Sequence, residues 1–232
     1  MPNSQPIRIF IVEPRGTGGM IHYAYQLCTA LSEEGADVTL VTELEYELEA
    51  LPHNFTVQKI LNLWARTDQL STPSRQSGSA SIGRKIFWSL RRGYRAIKFI
   101  VSWLVLANFL LRRKPDIVQF GKIEFPFESI FLRLLKLRGL TLAQICHEFE
   151  NRETRSGLVH QINWKLQTSI YKNFEAMFFH AQNNLERFRT LYPSAAANLH
   201  VIPMGNESLF LIPADLNNEI NKLQSRYHLP KD

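Results

Sequence analysis

Apolar and polar residues follow one another along the chain in blocks of two kinds. Short apolar runs, such as Ile9-Phe10-Ile11-Val12 and Ile117-Val118-Gln119-Phe120, are typical of strands buried on both faces of a parallel sheet. Between such runs, apolar residues recur at a helical spacing, as they do from Met20 to Leu31. This alternation predicts parallel strands that are joined by helices.

The pattern predicts strands at residues 7–12, 37–42, 55–60, 117–120, 141–146, 176–180 and 199–202. It predicts helices at residues 19–34, 85–113, 125–137, 157–173, 183–191 and 216–227. Residues 67–83, which are rich in Ser, Gly, Gln and Thr, predict a flexible loop. We therefore expect an α/β fold, with a Rossmann-like, doubly wound, mainly parallel sheet of about seven strands and helices on both faces.

Ligands of such sheets bind at the carboxyl ends of the strands, and one loop there is rich in glycine. The loop Gly16-Thr17-Gly18-Gly19 lies between the first strand and the first helix, where a phosphate can approach backbone N–H groups. A dinucleotide-binding fingerprint would need a glycine at position 21, where this chain has Ile21, and this disfavours an oxidoreductase. Glu43 nevertheless lies about where a ribose-binding acid would lie. A tight turn that only connects strand and helix is the alternative.

His147 directly follows the predicted fifth strand, which places it at the same edge of the sheet. Its side chain can donate or accept a hydrogen bond and titrates near neutrality. A histidine with a purely structural role is the alternative. The nearby acids alternate with Arg152 and Arg155, which favours a solvated charged loop over a pair of catalytic carboxylates. Zinc-type Cys/His spacing and Asp-x-Asp are both missing, so the sequence predicts no metal site.

The chain has a formal net charge of +6, and part of this excess is local. Residues 84–114 contain Lys and Arg but no Asp or Glu. The first half of this segment mixes basic and aromatic residues, a composition typical of helices that dock on anionic lipid. The predicted membrane-docking residues are Arg84, Lys85, Trp88, Arg91, Arg92 and Arg95.

The second half of that segment is predicted to be a core helix. Its longest uncharged part, residues 99–111, is shorter than the roughly 20 residues that a membrane span needs. A crossover helix with a basic outer face is the alternative for the first half. No nucleic-acid recognition module is visible, so nucleic acid is not a predicted partner. Cys28 and Cys146 are expected to be small buried residues.

Several segments, taken in order, resemble the N-terminal domain of GT-B-fold glycosyltransferases of the family 4 type. These segments are Ile9-Phe10-Ile11-Val12, Gly18-Gly19-Met20, residues 31–42, residues 114–118, His147-Glu148, and residues 201–206 with Phe210. The resemblance implies transfer of a sugar, with retention, from a UDP- or GDP-linked donor to a lipid-linked or saccharide acceptor, with no metal and no cofactor.

The resemblance also implies roles for single residues. Gly18 and Gly19 would approach the donor diphosphate, and His147 would be the catalytic residue that contacts the donor sugar. Glu148, Gly205 and Asn206 would face the acceptor or the cleft between two domains.

A second domain is part of the same expectation. Residues 1–212 would form the N-terminal Rossmann-like domain, and residues 213–232 a linker and helix leading to a C-terminal domain outside this chain. Because that domain carries most of the nucleotide site in the family, the chain alone is expected to be inactive without a C-terminal domain or partner subunit. A non-catalytic membrane-docking or partner-binding module with a degenerate site is the alternative.

The N-terminus gives an expectation about location. It is short and polar and lacks the charged and apolar regions of a secretory signal. We therefore expect a cytoplasmic protein, with peripheral attachment to the inner face of the membrane if the basic segment docks on lipid.

Overall fold

The computed structural model describes residues 5–62, 82–123, 125–147, 149, 158–195 and 198–204, apart from the side chains of residues 82–90, 92 and 158–164. The predicted loop lies outside these residues up to position 81. The predicted linker at 213–232, with its helix at 216–227, also lies outside them.

Seven strands form one sheet in which all neighbours are parallel. The strands are β1 Arg8–Val12, β2 Asp37–Glu43, β3 Thr56–Leu61, β4 Ile117–Phe120, β5 Thr141–Ile145, β6 Ala176–Phe179 and β7 Asn198–Val201. Their order across the sheet is β3-β2-β1-β4-β5-β6-β7. The predicted fold class, a doubly wound parallel sheet, is confirmed.

The helices lie on both faces of this sheet. They are α1 Gly19–Glu33, α2 Ile82–Arg113, α3 Glu128–Leu137, α4 Leu158–Tyr171 and α5 Gln182–Leu191. Alternate residues of β1 belong to two separate buried clusters: Ile11 packs with Ile21 and Cys28 of α1, whereas Phe10 packs with residues of the opposite face. The period of two along the strand thus produces two cores.

The strand order reverses beside β1, and this reversal creates a cleft. After β3 the chain crosses to the other side of β1 and adds β4, with Val12 opposite Phe120 in the ladder. The backbone N–H of Gly121 still donates to the carbonyl oxygen of Val12, at 3.0 Å. Beyond that bond, the loops that follow β1 and β4 turn to opposite faces, so a crevice opens at the carboxyl edge of the sheet.

One buried polar contact fixes α2 against the rest of the domain. The indole Nε1–H of Trp103 donates to Oε1 of Glu128 at 2.9 Å, and the two residues are 5% and 2% exposed. The same carboxylate accepts from the backbone N–H of Phe125, just before α3. The Trp103 ring stacks on Phe120 and Phe131, with centroids 5.9 and 5.3 Å away.

The second half of α2 has a buried face and an exposed apolar face. The buried residues, as expected for a core helix, are Phe99, Trp103, Leu106, Ala107 and Leu110. The exposed apolar residues are Tyr94, Ile97, Ile100, Val101, Leu104 and Val105. The prediction that the second half of α2 is a core helix is therefore correct for one side of the helix and does not describe its other, exposed side.

By length and composition alone, Gly93–Arg113 could cross a membrane. It has 21 residues and a mean hydropathy of 1.5, and 33% of its most apolar window is buried in the domain. The buried side packs Trp103 and Leu110 into the larger core cluster. These contacts attach the helix to the domain on that side.

Trp103→Phe is expected to lower the free energy of unfolding by about 1–3 kcal/mol, because it removes an indole donor from a buried carboxylate. The control is Tyr94→Phe on the same helix, whose ring is 68% exposed and whose hydroxyl loss should have little effect. Urea unfolding of both variants measures the difference. Equal stabilities would show that the Trp103–Glu128 bond does not hold α2 in place.

Candidate functional site

The crevice beside β1 and β4 is a cleft of about 150 Å³ at the carboxyl edge of the sheet. Residues from α1, from the loop after β4, and from the end of β5 surround it. They are Met20, Gly121, Lys122, Ile123, Gln144 and His147. A narrow recess continues from it toward Glu13 and Tyr23. His147 lies in the cleft wall, at the edge of the sheet that its sequence position predicted, and its contact with a ligand stays a prediction.

His147 is hydrogen-bonded to a second histidine. Its Nδ1 lies 3.1 Å from Nε2 of His180, which directly follows β6. Nδ1 of His180 lies 3.2 Å from the carbonyl oxygen of Ile202, which directly follows β7. Residues just past the ends of three neighbouring strands are thereby joined into one chain of hydrogen bonds.

Tyr23 of α1 covers this histidine pair. Its ring meets the rings of His147 and His180 edge to face, with both centroids 5.2 Å away. Burial raises the pKa of the Tyr23 phenol above its ordinary value, so the side chain stays neutral at physiological pH. Tyr23 therefore supplies packing and a hydroxyl group beside the histidines, and no charge.

Cys146, next to His147, is not a nucleophile. It is buried, as is Cys28, and neither forms a disulfide, so the prediction of small buried residues is confirmed. Burial raises the pKa of the Cys146 thiol to about 12. Because the thiolate is the reactive form, this thiol is inert at neutral pH.

Three carboxylates hold the glycine loop. The backbone N–H of Arg15 donates to Glu13 at 3.3 Å, that of Gly16 to Glu43 at 3.4 Å, and that of Gly18 to Glu47 at 2.7 Å. Glu47 also accepts from Nε2 of His22 at 2.9 Å. The loop is therefore positioned by acidic side chains of the protein itself, from the ends of β1 and β2 and from the segment after β2.

This arrangement gives Glu43 a different role from the ribose contact that its sequence position suggested. Glu43 is buried, and its carboxylate accepts from Gly16. The hydrogen bond from the Gly18 N–H to Glu47 also limits where an anion could contact the loop, because that N–H already has an acceptor. At Gly18 and Gly19, no described atom lies within 4 Å of the position that a Cβ would take, so there is space beside the start of α1.

Two glycines are required by close contacts. A Cβ at Gly16 would lie 1.8 Å from the carbonyl oxygen of Glu45, and a Cβ at Gly121 would lie 2.2 Å from Oε2 of Glu13. Both distances are far shorter than a non-bonded contact allows. Gly16 thus lets the loop after β1 approach the segment after β2, and Gly121 lets the start of the loop after β4 approach the carboxylate of Glu13.

Gln144 is a cleft residue that the sequence analysis did not select. It is 4% exposed, lines the cleft, and its Oε1 is buried without a hydrogen bond to the described residues. A buried amide oxygen in a cleft wall is suited to accept a hydrogen bond from a ligand. Tyr23, His180 and Glu47 were also missed, although His180 follows the rule that selected His147, since it too ends a strand.

The remaining predicted site residues lie on α2 or outside the described part of the structure. Arg91 and Arg95 are half-buried on α2, which packs against β3 and α3. The side chains of Arg84, Lys85, Trp88 and Arg92 lie outside the described part of the structure, as do Glu148, Gly205 and Asn206 altogether. Among the described residues, no group of three or more His, Cys, Asp or Glu could hold a metal ion.

Comparison with known families gives one match over most of the chain. The model described as Glycosyltransferase Family 4 matches residues 17–206. A comparison with curated proteins found no match.

Solved structures share the fold at low sequence identity. Sucrose-phosphate synthase of Thermosynechococcus elongatus has a TM-score of 0.55 at 14% identity, over 94% of this chain and 53% of that one. A glycosyltransferase of Rickettsia africae has a TM-score of 0.55 at 13% identity, over 99% of this chain and 51% of that one. HepE of Anabaena, solved with UDP, has a TM-score of 0.53 at 12% identity, over 96% of this chain and 50% of that one. The chain spans about half the length of these structures.

Gly16→Ala is expected to destabilise the domain by about 1–3 kcal/mol, because the added Cβ overlaps the backbone at Glu45. Gly19→Ala is the matched control, because it lies at the start of α1, where a Cβ meets no described atom within 4 Å. Urea unfolding followed by circular dichroism compares the two variants. A Gly16→Ala variant as stable as Gly19→Ala would contradict the close contact between the loops.

Proposed function

The chain belongs to Glycosyltransferase Family 4, and we propose that it is the acceptor-side domain of a retaining glycosyltransferase. The observation that carries this proposal is the cleft at the reversal of strand order, which brings His147 beside the start of α1 in a chain that the family model matches over residues 17–206. Such a crevice is where doubly wound sheets bind their ligands.

We infer that the donor is a UDP- or GDP-linked sugar. Support comes from HepE of Anabaena, which shares this fold and was solved both with UDP and with UDP-glucose. The N-terminus of α1 would face the diphosphate, because the partial positive charge of a helix N-terminus and its backbone N–H groups favour anions. At Gly18, the diphosphate would take the place of the Glu47 carboxylate.

The proposed chemistry divides between the leaving group and His147. As the bond between the anomeric carbon and the diphosphate breaks, negative charge develops on the diphosphate. Backbone N–H groups at the start of α1 would stabilise that charge in the transition state. His147 would hold the donor sugar in place from the opposite wall of the cleft. The hydroxyl of a lipid-linked or saccharide acceptor would bond to the anomeric carbon on the face that the diphosphate leaves, and its proton would pass to the departing diphosphate oxygen.

We further propose that a C-terminal domain or a separate subunit completes the site. The three solved structures compared above are about twice as long as this chain. The described residues that line the cleft belong to α1, to the loop after β4 and to the end of β5, and the cleft is small for a whole nucleotide sugar. The chain alone would accordingly have little or no transferase activity.

A surface on α2 and α3 supports a further proposal, that the domain docks on an anionic membrane. The exposed apolar face of α2 carries Tyr94, Ile97 and Leu104, and α3 adds Ile130 and Leu137, which are 69% and 75% exposed. The two helices are in contact. Exposed apolar side chains on this scale mark an interaction surface.

Basic residues lie beside this apolar surface, at both ends of the described part of α2. Arg91 and Arg95 are half-buried near its start, and Arg112 and Arg113 are exposed at its end. Apolar side chains with flanking cations match a bilayer whose headgroups are negatively charged. The docked domain would then lie on the cytoplasmic face, where a lipid-linked acceptor is within reach.

His147→Ala in the full-length gene product is expected to reduce turnover by about 100-fold or more, since a misplaced reacting group has an effect of that size. The assay measures release of nucleoside diphosphate from a panel of UDP- and GDP-linked sugars. His200→Ala is the control, because His200 is exposed on β7 outside the cleft. Near-normal turnover by folded His147→Ala would refute the assigned role.

The same assay tests the alternative of a non-catalytic docking module. If the full-length product releases no nucleoside diphosphate from any donor, with or without candidate acceptors, the transferase proposal fails. Docking on membranes would then be the remaining function to examine.

Replacing Arg91, Arg92 and Arg95 together by Glu is expected to abolish flotation with vesicles that contain anionic lipid, because the basic flank of the docking surface changes sign. The control changes Lys172, Arg187 and Arg189 to Glu, which alters the net charge equally on the segment after α4 and on α5. A third variant, Ile97→Ser with Leu104→Ser, tests the apolar contribution. Unchanged flotation of all variants would exclude docking through α2.

A further inference from the structure

The histidine pair in the cleft carries an inference about protonation. The ring centroids of His147 and His180 are 4.6 Å apart, and the contact between Nδ1 of His147 and Nε2 of His180 is 3.1 Å. Two ring nitrogens at this distance need one proton between them. The direction of that hydrogen bond therefore decides which nitrogen of each ring is protonated.

The backbone determines this direction. The carbonyl oxygen of Ile202 can only accept, so Nδ1 of His180 must carry a proton and donate to it. In a neutral ring, Nε2 of His180 is then an acceptor, and the proton of the shared bond belongs to Nδ1 of His147. Neutral His147 is left with its lone pair on Nε2.

The carbonyl of Ile202 is itself held by the sheet. The N–H of Ile202 donates to the carbonyl oxygen of Phe179 at 2.8 Å, which continues the ladder between β6 and β7. The N–H of Cys146 donates to Phe178 in the same way at 2.8 Å, and this fixes the backbone before His147. The strand ends that carry the two histidines and the carbonyl are therefore mutually fixed.

Uncharged side chains pack against the pair. Tyr23, a neutral phenol, packs its ring edge to face against both imidazoles, and Cys146 beside His147 is a buried thiol. Among the described residues, Glu13 lines the recess and Lys122 lines the cleft.

We propose that His180 is a positioning residue that holds His147 in the Nδ1–H tautomer. Nε2 of His147 then serves as a hydrogen-bond acceptor, which suits a hydroxyl group and not a phosphate oxygen. This assignment gives the two sides of the cleft different chemistry: hydroxyl recognition at His147 and anion recognition at the start of α1. Its importance for turnover rests on the proposed transferase function, but the tautomer itself does not.

Nitrogen NMR of the chain with ¹⁵N-labelled histidine tests the proposal directly, at a pH at which the imidazoles are neutral. Long-range ¹H–¹⁵N spectra distinguish a protonated from an unprotonated ring nitrogen, and His147→Ala identifies the signals of His147. We expect a protonated Nδ1 and an unprotonated Nε2 in both His147 and His180. A His147 protonated on Nε2 would overturn the proposal.

Two substitutions separate positioning from simple packing. His180→Phe keeps an aromatic ring but removes the acceptor, and it is expected to shift His147 toward the Nε2–H tautomer. His180→Gln offers an amide oxygen near the position of Nε2 and is expected to restore the Nδ1–H tautomer. An unchanged His147 signal in His180→Phe would also overturn the proposal, while an unchanged His200 signal reports that the fold is intact.

Activity of the full-length product adds a second measurement. His180→Phe is expected to lower kcat by about tenfold, as for other histidines oriented by a hydrogen-bonded partner, and His180→Gln to recover most of it. If the tautomer shifts as expected but no variant or wild type has transferase activity, the proposed function fails and the positioning role stands. If activity is present and the tautomer does not shift, the positioning role fails alone.

Discussion

Parallel pairing of all seven strands is the constraint on which the candidate site depends. Because every strand points the same way, every loop that follows a strand begins at one edge of the sheet. The order of the strands then decides which of these loops diverge. The chain adds β2 and β3 on one side of β1 and the later strands on the other. In the described part of the structure, the cleft therefore opens between the loops after β1 and β4, and the end of β5 contributes Gln144 and His147.

Much of this could be predicted from the sequence, because each step depends on local patterns. Short apolar runs gave all seven strands, their separation by helical segments gave the parallel sheet, and the position of His147 after a strand placed it at the right edge. The role of Glu47 could not be predicted in the same way. Its contact with Gly18 joins residues far apart in sequence, and it depends on the path of the segment after β2.

Local sequence patterns do not show contacts between distant residues, and this explains two other differences between the sequence predictions and the structure. Glu43 follows the spacing of a ribose-binding acid, but spacing does not show that Gly16 approaches close enough to donate to its carboxylate. The second half of α2 has apolar residues on its outer side as well as on its buried side, and composition alone does not distinguish the side that packs on Phe120 from the side that faces outward. In both cases the missing information is a distance between elements, which no local pattern contains. His180 is different, since its position after β6 was visible, but its pairing with His147 depends on the parallel register of β5 and β6.

The hydrogen-bonded chain from Ile202 through His180 to His147 links the cleft to the place where the polypeptide leaves the sheet. Ile202 is the first residue after β7, and its N–H is bound to Phe179 while its carbonyl oxygen accepts from His180. A change in the position of that carbonyl would therefore change the hydrogen bond that orients His180, which in turn contacts His147. The orientation of His147, which follows β5, thus depends on how β7 is seated in the sheet, although β5 and β7 are not neighbours.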